Sequence, residues 1–179
     1  MKTHALSLFL VVCILSLQCG KDEEKENPPP AAKIDLSNYT ITDITGAIIS
    51  NDDTDWWLDD NWTAEEIALF QTPSAEQLAN MGKADINIYP AYPNPFATVF
   101  DWSFYTTKVT LLQWVITDSL LNVKERNYIT SRAGQNTTFR FSPDASKYAD
   151  QTTYRFYYAF YSQAEGAYAR GHGDIRVIK

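Results

Sequence analysis

The sequence is poor in the residues that carry most enzyme chemistry. It holds 2 cysteines and 2 histidines in 179 residues, too few thiols for a disulfide-framework mini-protein. Without the leader at residues 1–18, His172 and Cys19 are the histidine and cysteine that remain. A zinc site would then rest on carboxylates almost alone, and a Cys-His or Ser-His-Asp arrangement would have a single base to draw on. No glycine-rich phosphate loop follows a strand-like run, so nucleotide binding has no support. Basic side chains are outnumbered, 15 against 22 acidic for a net charge of -7. Counterion release on nucleic acid needs clustered Lys and Arg, so a nucleic-acid partner is excluded. No apolar run reaches the roughly twenty residues of a membrane-spanning helix.

What is present begins with an address. Met1-Lys2-Thr3-His4 is a short basic start, and residues 5–17 form an apolar run of signal-peptide length. Ser16-Leu17-Gln18-Cys19-Gly20 comes directly after it. This pattern resembles a bacterial lipobox, which implies removal of residues 1–18 as a lipoprotein signal peptide and fatty acylation of Cys19. The alternative is a plain secretory peptide with an incidental cysteine. Each buried acyl methylene adds about 0.8 kcal/mol, so such chains would tether a domain to a bilayer without a spanning helix. Lys21-Asp22-Glu23-Glu24-Lys25-Glu26 and then Asn27-Pro28-Pro29-Pro30 cannot form a core, and residues 19–32 read as a disordered acidic and proline-rich tether. The order of Cys19, Lys21, Asp22, Glu23 and Glu24 resembles the surface-export signal of Bacteroidota lipoproteins. It implies an outer-membrane protein at the cell surface, with a periplasm-facing tether as the alternative.

The body divides into two unequal parts. Residues 33–83 form an N-terminal segment of short strands and helices expected to pack on the rest of the chain. Tyr39-Thr40-Ile41-Thr42 and Gly46-Ala47-Ile48-Ile49 suit two short strands about a turn. Residues 51–61, with Asp52, Asp53, Asp55, Asp59 and Asp60, read as a solvated acidic loop; their spacing departs from a calcium loop, and no metal or cofactor is expected. Thr63 with Glu66 forms a capping box, with Trp62 and Ile67 placed to staple the helix start. A second short helix is expected over 73–81, capped by Thr72 and stopped by Gly82.

Residues 84–179 alternate as strands. Phe100, Trp102 and Phe104 share one face of a half-buried strand. Further runs fall at 85–89, 109–117, 123–130, 137–141, 154–161 and 175–178, separated by polar turns. One of these turns is expected at Gly171-His172-Gly173-Asp174, and it makes His172 a poor catalytic candidate. About seven short strands in this length predict a mainly β fold, an Ig-like antiparallel β-sandwich preceded by one or two short helices.

Tyr92-Pro93-Asn94-Pro95-Phe96 resembles the opening of an immunoglobulin-like family that includes the flagellar hook-capping Ig-like domain and the C-terminal sorting domains of type IX secretion cargo. The resemblance spans about residues 86–179 and implies a sandwich whose proline-rich opening carries the chain from one sheet to the other. Asp118-Ser119-Leu120-Leu121-Asn122 replaces the family's usual Gly-Arg turn. Asp118-Ser119-Leu120 also resembles an O-glycosylation acceptor of the same bacterial group, centred on Ser119.

Aromatic side chains supply the candidate binding surface. Trp56, Trp57 and Trp62 crowd one stretch, and tyrosines crowd the late strands. Flat rings can stack on sugars or anchor a protein partner. Strand alternation puts Tyr157 and Tyr161 on the face expected to be exposed, giving Trp56, Trp57, Tyr157 and Tyr161 as candidates. The competing reading has Trp56 and Trp62 gluing the N-terminal segment to the sandwich. The expected function is a lipid-anchored, non-enzymatic interaction or structural module docking an envelope protein. A glycan-binding accessory lipoprotein is the alternative, and catalysis has no site residues behind it.

Overall fold

The computed structural model describes residues 34–179. The signal peptide, Cys19 and the Lys21, Asp22, Glu23 and Glu24 signal lie outside the described residues. The described chain is mainly β. Its elements run β1 (Ile41–Thr42), β2 (Ile48–Ser50), β3 (Trp57–Leu58), α1 (Ala64–Ile67), β4 (Ile86–Ile88), β5 (Phe100–Thr106), β6 (Leu111–Thr117), β7 (Val123–Thr130), β8 (Gln135–Phe141), β9 (Thr153–Ser162) and β10 (Gly166–Arg176). Antiparallel pairing builds a 5-stranded sheet in the order β3-β10-β9-β6-β7, facing a 3-stranded sheet in the order β4-β5-β8. The result is the Ig-like β-sandwich that the alternating pattern predicts, and β1 and β2 form a separate hairpin.

Period-2 alternation explains the core. Phe100, Trp102 and Phe104 of β5 are 1%, 0% and 0% exposed, and they meet inward residues of β9. Trp102 lies 5.0 Å from Phe156 and 5.0 Å from Tyr158, and Phe104 lies 5.3 Å from Phe160. Leu112, Trp114 and Ile116 of β6 join the same cluster. Such ring pairs contribute about 0.5–1.5 kcal/mol each beyond simple area burial.

The proline-rich opening does carry the chain between sheets. Tyr92 exchanges backbone hydrogen bonds with Asp101 of β5, whereas Phe96 N–H donates to the Arg176 carbonyl at the end of β10. Asn94, fully buried between them, donates from Nδ2 to the carbonyls of Thr40 and Asp174 and accepts the Arg176 N–H on Oδ1. One side chain therefore ties the N-terminal segment, the crossing and the last strand together.

The structure departs from the sequence reading at residues 171–174, at residues 73–81 and at the start of α1. Residues 171–174 are not a turn: β10 starts at Gly166, and His172 sits in its middle, paired with Tyr157 of β9 and Trp57 of β3. The glycines serve close approach instead, since a Cβ at Gly171 would strike the Trp57 carbonyl and one at Gly173 the Trp56 ring. Second, the stretch 73–81 folds as turns, with Ser74 rather than Thr72 exchanging capping bonds with Gln77. Third, the capping box at α1 forms, but the staple does not. Trp62 stacks on Phe70 at 5.2 Å, and Ile67 is left 46% exposed.

Candidate functional site

The four aromatic candidates have different fates. Tyr157 and Tyr161 are 0% and 6% exposed, which overturns the expectation that they form an open face. Residues 62–81 lie over that side of the sheet: Leu69, Trp62 and Phe70 pack on Tyr157, while Leu78 and Met81 pack around Tyr161 and Leu111. Tyr157 also donates its hydroxyl to Glu66 Oε1 at 2.7 Å, so the helix cap doubles as a clasp. Burial, followed by the adjoining Glu66, pushes the Tyr157 phenol above its ordinary range. Trp56 is 5% exposed and belongs to the intersheet core. Trp57 is the candidate that remains at the surface, 49% exposed.

Adjacent tryptophans part because Trp56 has φ 59. A bulky residue in the left-handed region is a genuine outlier. It turns its ring inward, 6.2 Å from Trp102 and 6.0 Å from Phe156, over the space that Gly173 leaves open. Trp57 and Leu58 then pair with His172 and Gly171 as β3, an edge strand that the sequence reading assigned to a solvated loop. That loop is also more ordered than expected. Asp55 is 8% exposed, and its carboxylate accepts the backbone N–H groups of Thr40 and Asp174.

An open groove of about 430 Å³ runs between this edge and β4, lined by Trp57, Leu58, Ile86, Asn87, Ile88 and Tyr89, with Trp56 beneath. Leu58 is 39% and Tyr89 41% exposed. Both β3 and β4 end their sheets, so each presents an outer edge without a neighbouring strand among the described residues. Large half-exposed apolar side chains clustered at paired sheet edges make a surface suited to an extended polypeptide.

Behind the edge lies a polar layer. Arg155 and Asp174 form a buried bidentate pair, Nε to Oδ1 at 2.8 Å and Nη2 to Oδ2 at 2.9 Å. Burial raises the Asp174 carboxyl while the Arg155 fork pulls it down. Asp55 is pushed up to about 7, by burial first and then by the Asp174 charge. His172 is brought down to about 4, by burial and then by Arg155, and its Nδ1 has no hydrogen-bond partner among the described residues. The imidazole is thus neutral near neutral pH, beside an ion pair whose members are committed to each other. The sequence reading singled out Asp55 in the acidic loop and His172 in a turn but not the cluster, because β10, β9 and the 34–55 segment bring the four groups together from distant positions. Ser119 sits in the turn between β6 and β7, half-buried, where its carbonyl accepts the Ile34 N–H.

No protein-family model matches the chain, and no curated protein does so either.

Proposed function

We propose that this protein is a lipid-anchored envelope lipoprotein whose sandwich acts as a non-enzymatic interaction module, docking an extended segment of a partner protein along the β3–β4 edge. The observation that carries the reading is the half-exposed Trp57, flanked by Leu58 and Tyr89, on a sandwich that buries most of its other large aromatic rings. Aromatic side chains at a partly dehydrated groove are the usual centres of binding energy in protein interfaces. The lipobox-like Cys19 and the acidic sequence after it support attachment to the outer membrane.

A photo-crosslinking amino acid at Leu58 tests the docking edge in cells. A discrete adduct is expected, absent when the same probe replaces the more exposed Ile44 on the separate hairpin, which is 79% exposed. Trp57→Ala should weaken the contact by about 2 kcal/mol, the scale of an interface hot spot. Equal crosslinking from both positions would overturn the assignment. Intact mass and detergent phase separation test the anchor: acylation at Cys19 sends the protein to the detergent phase, and Cys19→Ser returns it to the aqueous phase.

A further inference from the structure

A second cleft lies on a different face from the Trp57 edge. Residues 62–81 cover the outer side of the 5-stranded sheet over Tyr157, Tyr161 and Leu111. Toward β7 they leave a cleft of about 310 Å³, whose walls include Gln71 and Gln77 on one side and Gln113, Arg126 and Tyr128 on the sheet. Register sets these sheet residues side by side, with Gln113 opposite Tyr128 and Val115 opposite Arg126.

The chemistry of the lining is selective. Gln113 is 8% exposed, yet its amide makes no hydrogen bond among the described residues. Its donor and its acceptor are left to solvent at the cleft and can serve a ligand that displaces that water. Arg126 is exposed and forms no ion pair among the described residues. Tyr128 is 51% exposed and offers a ring face. Among the described residues no carboxylate lines the cleft, in a chain whose net charge is -7.

Planar amides match the paired hydroxyls of a sugar, since each presents a donor and an acceptor. A half-exposed tyrosine can lie against the apolar face of a pyranose. A free guanidinium forks onto a carboxylate or sulfate. The volume is at the lower end for small-molecule sites, about 300 Å³, which suits one or two sugar rings. We propose that this cleft binds a short acidic oligosaccharide through Gln113, Arg126 and Tyr128. The assignment does not depend on the docking edge, and it makes the module a reader of charged glycans on a second face.

Affinity electrophoresis of the full-length protein tests this, in gels containing polygalacturonate, alginate or chondroitin sulfate, with dextran and polyglutamate as controls. Retardation by at least one of the acidic polysaccharides is expected, with neither control matching it. Arg126→Ala and Tyr128→Ala, both at exposed positions, should each weaken that retardation about tenfold or more, and Gln113→Leu should do the same. Trp57→Ala should leave it unchanged, which separates this cleft from the docking edge. Retardation by none of the acidic polysaccharides would overturn the proposal. So would equal retardation by polyglutamate, which would reduce the effect to charge attraction, or wild-type affinity in the Arg126→Ala and Tyr128→Ala proteins.

Discussion

Asn94 shows how much one side chain can hold in this protein. Its amide satisfies the carbonyls of Thr40 and Asp174 in buried surroundings and the Arg176 N–H at their part-buried edge. Asn94→Ala leaves those groups unpaired, at about 1–3 kcal/mol for each buried orphan. Loss of about 3 kcal/mol or more in urea unfolding is expected. Asp55 and His172 act on stability with opposite sign. Asp55 rises from 3.8 to about 7, so between those values the folded state keeps a proton the unfolded chain has lost, and stability falls as pH rises. His172 drops from 6.5 to about 4, so the folded state lacks a proton the unfolded chain holds, and stability rises with pH through that window. The two largely cancel in the native protein. Urea midpoints taken from about pH 4.5 to about pH 6.5 should therefore climb more steeply in Asp55→Asn and fall in His172→Gln, each by no more than about 1.4 kcal/mol per pH unit. Equal pH profiles in all three proteins would show that neither group is perturbed by its surroundings.

At the scale of elements, β3 depends on what β10 lacks. Gly171 and Gly173 remove side chains where the Trp57 carbonyl and the Trp56 ring lie against β10. Gly173→Ala would push the Trp56 ring out of the intersheet core, at about 1–3 kcal/mol for overpacking and more if the strand detaches. The expected signs are a red-shifted tryptophan emission and a lowered unfolding midpoint, with Gly82→Ala as a comparison where an added Cβ meets the flexible Lys108 side chain. This pair of elements also marks the limit of what sequence could reveal. The strands β4 to β9 follow from apolar runs and alternation, and the α1 capping box follows from the spacing of Thr63 and Glu66, whereas most of β10 was hidden by glycines that read as a turn. The edge strand β3 did not follow either, because two residues carry no period and a run of aspartates reads as solvent-exposed. Tyr157 and Tyr161 were misplaced for a related reason. Alternation tells which residues share a face, but not that residues 62–81 return to cover it. The Trp57 site was half legible: its aromatic cluster was visible, while the split between Trp56 inward and Trp57 outward rests on a backbone angle.

For the molecule as a whole, the question is whether the sandwich stands without the segment before it. That segment supplies β3 to the 5-stranded sheet, Asp55 to the Thr40 and Asp174 amides, and the apolar cover over Tyr157, Val115, Leu111 and Tyr161. Exposing a large apolar side chain costs about 1.5–3 kcal/mol, and an entire domain is stable by only about 5–15 kcal/mol. Uncovering four such side chains on one sheet face therefore approaches the whole stability of the domain. Residues 84–179 expressed alone should bind hydrophobic dye and lose the sharp urea transition that residues 34–179 retain. Added detergent micelles should suppress their aggregation by covering the bared face. A cooperative transition in the shorter chain, with a midpoint near that of the longer one, would mean that the cover is an attachment and that the seven later strands carry their own core.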